Sequence, residues 1–166
     1  MLHRRLFAVI AIATALATSA CLDDTKSAPT GQRSTSTSST VAAPLQNRRA
    51  DNGAVVQQNG LNGSGELKIV NGNSSDCAIV VTSSDPKSPQ ATIYVQGNSN
   101  ATLSGIAGSY FVYMKYGTDW DQAALGFTRD QEFSKFDDVF DADTEWEITL
   151  QPSIGGNAST SDVPSF

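Results

Sequence analysis

A chain of 166 residues with a formal net charge of −6 and only 17% charged residues has the length of one domain. It carries no basic patch beyond its first residues, which argues against nucleic acid as a partner. Its single histidine is His3, so past residue 20 there is no Ser-His-Asp or Cys-His arrangement, no histidine-ligated zinc and no histidine general base.

The predicted elements begin with an export signal over residues 1–20. His3, Arg4 and Arg5 supply a positive start, residues 6–17 an apolar run, and small residues a processing site. That run, about a dozen residues, is too short to span a bilayer comfortably as a helix. The stretch Leu16-Ala17-Thr18-Ser19-Ala20-Cys21 resembles the lipobox of bacterial lipoproteins. Ser19, Ala20 and Cys21 fit the motif, whereas Thr18 stands where an aliphatic residue is usual. The resemblance implies that the Cys21 thiol is diacylated, that the signal is cut off, and that Cys21 opens the mature chain. Simple secretion and a retained transmembrane helix are the alternatives. On the lipoprotein reading the bilayer is a partner through acylated Cys21, and the protein sits on the extracytoplasmic side of the cell envelope. Leu22 after the cysteine resembles outer-membrane sorting in a Gram-negative host. An acidic mature chain argues against direct binding to anionic headgroups, which leaves attachment to the acyl chains.

Residues 21–64 read as the lipidated cysteine followed by a disordered tether rich in Ser and Thr. Residues 26–40 hold almost no apolar side chain, so burial cannot offset the entropy of ordering them. Asn52-Gly53, Asn59-Gly60 and Asn62-Gly63 continue the loop chemistry, and Ala54-Val55-Val56 is not read as a strand. As a flexible coil the segment spans about 35–40 Å.

A β domain is expected over residues 65–152, with residues 153–166 as a C-terminal tail. Residues 65–70 alternate, with Leu67 and Ile69 on one face. Residues 77–82 are a β-branched run, which makes Cys77 a small buried hydrophobe. Residues 83–89 carry Pro86 and Pro89 and form a loop. Further strands follow at 91–95, 101–105 and 108–116. In the last of these Tyr110, Val112, Met114 and Tyr116 share one face, and Phe111, Tyr113 and Lys115 the other. Residues 145–150 put Trp146, Ile148 and Leu150 on a buried face. Short strands, turns and no long amphipathic helix predict an all-β fold, a small antiparallel β-sandwich of Ig-like or transthyretin-like type.

The stretch Leu103-Ser-Gly-Ile-Ala-Gly108-Ser-Tyr110 resembles the transthyretin-like and carboxypeptidase-regulatory β-sandwiches, which implies only the fold class. The ordered set Gly65-Glu-Leu-Lys-Ile, Gly117-Thr-Asp-Trp-Asp121, Phe127-Thr-Arg129, Phe133-Ser-Lys-Phe-Asp-Asp138 and Trp146-Glu-Ile-Thr-Leu150 is similar to a family of uncharacterised bacterial exported proteins and lipoproteins. It implies the limits of the domain and no activity.

Residues 119–147 concentrate the acidity. Dense carboxylates repel, so they spread into water or gather round a cation. A solvated acidic loop is the favoured reading. The alternative is calcium held by Asp137, Asp138, Asp141 and Asp143, without EF-hand spacing. Asp119 and Asp121 flank Trp120 and are the carboxylate pair of a glycosidase alternative, set against a capped corner whose tryptophan packs inward. Tyr94, Tyr110, Tyr113, Tyr116 and Trp120 are platform candidates that a sandwich core explains equally well. The function expected is a membrane-anchored envelope lipoprotein, monomeric and non-enzymatic, whose β-sandwich binds or assembles with an envelope protein or glycan. No catalytic residue or cofactor is assigned. A small carboxylate-based hydrolase acting on envelope glycans and a purely structural surface protein are the alternatives.

Overall fold

The computed structural model describes residues 4–7, 45–151 and 158–166. Cys21, expected to be acylated, most of the expected signal and the expected tether to residue 44 lie outside the described residues. One compact unit takes in Gln46–Phe166 together with the first residues.

The fold is all-β, built as two sheets in a small sandwich. Among the described residues eleven strands run in chain order: β1 (Arg4–Phe7), β2 (Val55–Gln58), β3 (Gly65–Asn71), β4 (Asp76–Thr82), β5 (Ala91–Val95), β6 (Ser99–Ile106), β7 (Ser109–Asp121), β8 (Gly126–Phe136), β9 (Phe140–Asp141), β10 (Trp146–Thr149) and β11 (Thr160–Asp162). The smaller sheet has the order β1-β10-β3-β6, and the larger β11-β8-β7-β4-β5-β2, with β9 on β7. The inner faces meet in one core, where Leu67, Ile69, Leu103, Ile106 and Ile148 of the small sheet oppose Ile79, Val81, Ile93, Tyr110, Val112 and Met114 of the large one. These are the alternating positions that period-two patterning selects.

Four features differ from the sequence reading. First, the folded unit starts at Gln46 and not at Gly65. Val55–Gln58 pairs with β5, and Ala50 and Val56 pack on a second apolar cluster of Ala78, Tyr94, Trp120 and Phe127. A few apolar residues order this arm because the sheet offers them a ready-made apolar face. Second, the acidic stretch contains a long strand, β8, paired to β7. Phe127 and Phe136 are buried while Thr128, Asp130 and Glu132 stay exposed, so the charges ride the wet side of a strand. Third, residues 160–162 of the expected tail pair with the edge of β8. Fourth, β10 runs parallel to β3 and to β1, whereas the other pairings are antiparallel. Ala142 lies against Gly65, so close that a Cβ on that glycine would come within 2.8 Å of it. The chain therefore enters β10 from the end at which β3 begins.

The strand expected over residues 108–116 does not end there but runs on to Asp121. It continues through Gly117 with a register shift between Tyr116 and Thr118. A Cβ there would lie 2.5 Å from the Phe127 Cβ and 2.8 Å from the Arg129 carbonyl oxygen, so only glycine fits the crossing. The shift exchanges faces along β7. Tyr116 belongs to the inner core, whereas Trp120, of the same parity, belongs to the outer cluster.

Trp146 anchors the small sheet. It is buried, its ring stands edge-on to Phe140 at 4.9 Å, and its Nε1 donates to the Asp141 carbonyl at 3.0 Å. Trp146→Ala is expected to cost about 3–5 kcal/mol of folding stability. Urea unfolding measures this, and an unchanged midpoint would mean that Trp146 is not part of the core.

Candidate functional site

Two adjacent arginines fasten the arm to the large sheet. Arg48 approaches Asp119 as a fork, with Nε to Oδ1 at 2.8 Å and Nη2 to Oδ2 at 2.9 Å. The Arg48 backbone N–H also donates to Oδ1 at 3.0 Å, and Thr128 Oγ1 donates to Oδ2 at 2.6 Å. The contact is closed from the other direction as well. The Asp119 N–H donates to Asn47 Oδ1 and the Trp120 N–H to the Arg48 carbonyl. Asp119 sits in the left-handed region at φ 61°, a conformation that aspartate tolerates better than most residues. It follows the face exchange at Gly117, which brings its carboxylate under the arm.

Arg49 makes the second fork, to Asp76 at the start of β4, with Nε to Oδ2 and Nη2 to Oδ1 both at 2.6 Å. Tyr94 Oη donates to Oδ2 at 2.5 Å and the Gly97 N–H to Oδ1 at 2.8 Å. Bidentate, charge-assisted contacts of this kind are the strong members of the hydrogen-bond class. Between the forks, Tyr94 meets Trp120 edge-on at 5.1 Å and Phe127 at 5.9 Å. The apolar cluster excludes water beneath the arm, and the forks satisfy the polar groups at its margin.

The electrostatics follow. Hydrogen bonds from Arg48 and Thr128 hold the Asp119 carboxyl well below the usual carboxylate range. Burial alone would raise Asp76, but the hydrogen bonds from Arg49, Tyr94 and Gly97 outweigh it and the net shift is downward. Burial and the bond to Asp76 push the Tyr94 hydroxyl up, so it donates at any physiological pH.

The sequence candidates distribute as follows. Asp119 and Asp121 are not a free pair facing a cleft. Asp119 is taken by Arg48, and Asp121 lies 3.7 Å from Arg48 Nη1 while accepting from the N–H groups of Ala123 and Ala124. Trp120 is buried, as the capped corner requires, and so are Tyr94, Tyr110 and Tyr116. Asp137 accepts from Ser161 Oγ at 2.6 Å beside β11, Asp138 and Asp143 are exposed, and Asp141 pairs with Ser109 at the start of β7. Among the described residues no group of three or more His, Cys, Asp or Glu side chains is placed to hold a metal ion. Cys77 is buried and free, and burial raises its thiol far from reactivity. Sequence reasoning missed Arg48, Arg49 and Asp76. The one signal for the arginines was their adjacency within the stretch expected to be tether, in a chain with more acidic than basic residues. Comparison with protein families, characterised proteins and solved structures finds no match.

Both carboxyls of the clamp have folded-state pKa values below their unfolded ones, so each stabilises the fold above the unfolded value, about 3.9, and loses that contribution as the pH falls through the folded value. The melting temperature is therefore expected to hold near neutrality and fall below about pH 4–5. Asp119→Asn should lower it at pH 7 and flatten the acid limb, and scanning calorimetry across pH reads both. An acid limb of wild-type slope in the variant would remove Asp119 from the linkage.

With the four aspartates dispersed, millimolar calcium and sodium chloride of matched ionic strength are expected to shift the melt alike, since both only screen repulsion. A calcium-only rise, growing with concentration as a specific site demands, would restore the calcium reading.

Proposed function

We propose that this chain is an envelope lipoprotein, exported by its N-terminal signal, acylated at Cys21, and displaying a non-enzymatic β-sandwich that binds or assembles with an envelope component. The lipobox resemblance supplies the anchor. The observation that supports a display role for the fold is the clamp itself. The tether does not simply run into the first strand of the domain. Its last residues are bolted across the outer sheet face through Arg48 to Asp119 and Arg49 to Asp76, so the anchored chain meets the sandwich at a fixed place. A domain held this way presents the same surfaces outward whatever the tether does.

The carboxylate-hydrolase alternative draws less support. A glycosidase acid needs a carboxyl raised toward neutrality, and Asp119 is held in the opposite direction by Arg48. On the lipoprotein reading, Arg4–Phe7 leaves with the signal, and the small sheet of the mature chain ends at β10.

Labelled palmitate and detergent-phase partitioning test the proposal. The wild-type chain is expected to take up label and partition with detergent, and Cys21→Ser to do neither, persisting as an uncut precursor or appearing as released protein. A Cys21→Ser chain that is still cleaved and still membrane-bound would sink it.

A further inference from the structure

The clamp also bears on where the chain can be cut. Arg48-Arg49 is the one pair of adjacent cations past residue 20, and both arginines lie at the surface, so an arginine-specific endopeptidase can meet them. Neither is in a form that such an enzyme can use. A protease of this kind holds the guanidinium on a carboxylate in its own pocket and needs the peptide extended in its cleft. Here the guanidiniums are already forked on Asp119 and Asp76. The backbone is held as well. The Arg48 N–H donates to Asp119 Oδ1 at 3.0 Å, and the Arg48 carbonyl accepts from the Trp120 N–H at 2.9 Å. Cleavage therefore requires the arm to lift first, at the cost of these bonds.

The position of the pair decides what a cut would do. Strands β2 to β11 all lie after Arg49. The arm beyond it keeps bonds of its own to the large sheet. Gln96 Nε2 donates to the Ala50 carbonyl at 3.0 Å and the Gln96 N–H to Asn52 Oδ1 at 3.0 Å. The Gly53 N–H donates to the Tyr94 carbonyl, and the Tyr94 N–H to the Ala54 carbonyl, both at 2.9 Å. Ala50 and Val56 would go on covering the outer cluster of Tyr94, Trp120 and Phe127. A cut after Arg49 thus severs the arm from what precedes it, removes the two forks and leaves the cover of the sheet in place.

We infer that Arg48-Arg49 is a guarded release site, masked by the two forks and hydrolysed by an arginine-specific endopeptidase once the arm lifts. Water adds its hydroxyl to the Arg49 carbonyl carbon and its remaining hydrogen to the Ala50 nitrogen. The bond between them breaks, leaving a carboxylate and a new amino terminus. That the cut frees the domain from a membrane rests on the lipoprotein reading, whereas the guard does not. Loss of palmitate label would leave the guard standing, and an unguarded pair would leave the lipidation result untouched.

The test is a timed digestion of the full chain with an arginine-specific endopeptidase, its products identified by mass, beside a synthetic peptide of residues 44–56 that holds the same pair without the sheet. Cutting after Arg48 or Arg49 is expected to be at least about a hundredfold slower in the folded chain than in the peptide, because only the lifted arm is cut. Asp119→Asn and Asp76→Asn should each speed it by about tenfold. Cutting after Arg129, inside β8, should stay at its wild-type rate, which separates a lifted arm from a loosened sandwich. Where Asp119→Asn fails to fold, Asp76→Asn decides. The product of residues 50–166 should still melt cooperatively. A folded chain cut as fast as the peptide, clamp variants cut at the wild-type rate, equal acceleration at Arg129, or an unfolded product would each overturn the inference.

Discussion

At Gly117 the β7 backbone passes so close to Phe127 and Arg129 that no side chain fits, and much of the molecule follows from that approach. The register shift there turns β7 over. Before it, Tyr110, Val112, Met114 and Tyr116 fill the space between the sheets. After it, Trp120 emerges on the outer face and joins Tyr94 and Phe127. An outer aromatic cluster of this kind cannot be left in water without cost, so something must cover it, and the arm from Gln46 does. The same turn of the strand carries Asp119 to the place where Arg48 meets it.

The arm shows how a segment of low hydrophobicity becomes ordered. Ala50 and Val56 contribute little apolar area by themselves. What adds to them is a set of backbone pairings, among them Gly53 N–H to the Tyr94 carbonyl and Tyr94 N–H to the Ala54 carbonyl, closed at the margin by two arginine forks. Each fork places a nearly buried carboxylate against a half-exposed guanidinium. The aspartates accept additional hydrogen bonds from Thr128, Tyr94 and Gly97, so neither carboxylate is left with the penalty of an unpaired buried charge. The arrangement is costly to break from either side, since removing one partner leaves the other charge unpaired.

The charged side chains divide between paired and solvated positions. Arg48, Arg49 and Lys68 are each paired with a carboxylate, and Lys115 is held by the backbone oxygens of Leu125 and Phe166. The acidic residues of β8 and the turns beyond it are spread along wet positions and are not gathered. Repulsion among carboxylates is thus relieved by spacing along a strand, with the charges left in water.

The sequence by itself determined the all-β class, the strands at β3 to β6 and β10 and the first part of β7, the inward faces of β3 and β10, the burial of Trp120, Trp146 and Cys77, and the absence of histidine past residue 20. These are legible because period-two alternation and turn residues act locally, within a few positions of one another. The sequence did not reveal β8, because a strand that alternates charge with aromatics at a sheet margin has the composition of an acidic loop. It did not reveal the arm either, since residues 46–58 owe their order to a surface assembled from residues up to about 80 positions away. Whether Arg48 meets Asp119, Arg49 meets Asp76, or Lys115 meets Phe166 depends on pairs separated by 71, 27 and 51 positions. No local pattern encodes such meetings. They exist only once the sheets have stacked and the bulge at Gly117 has chosen which side of the strand each later residue faces.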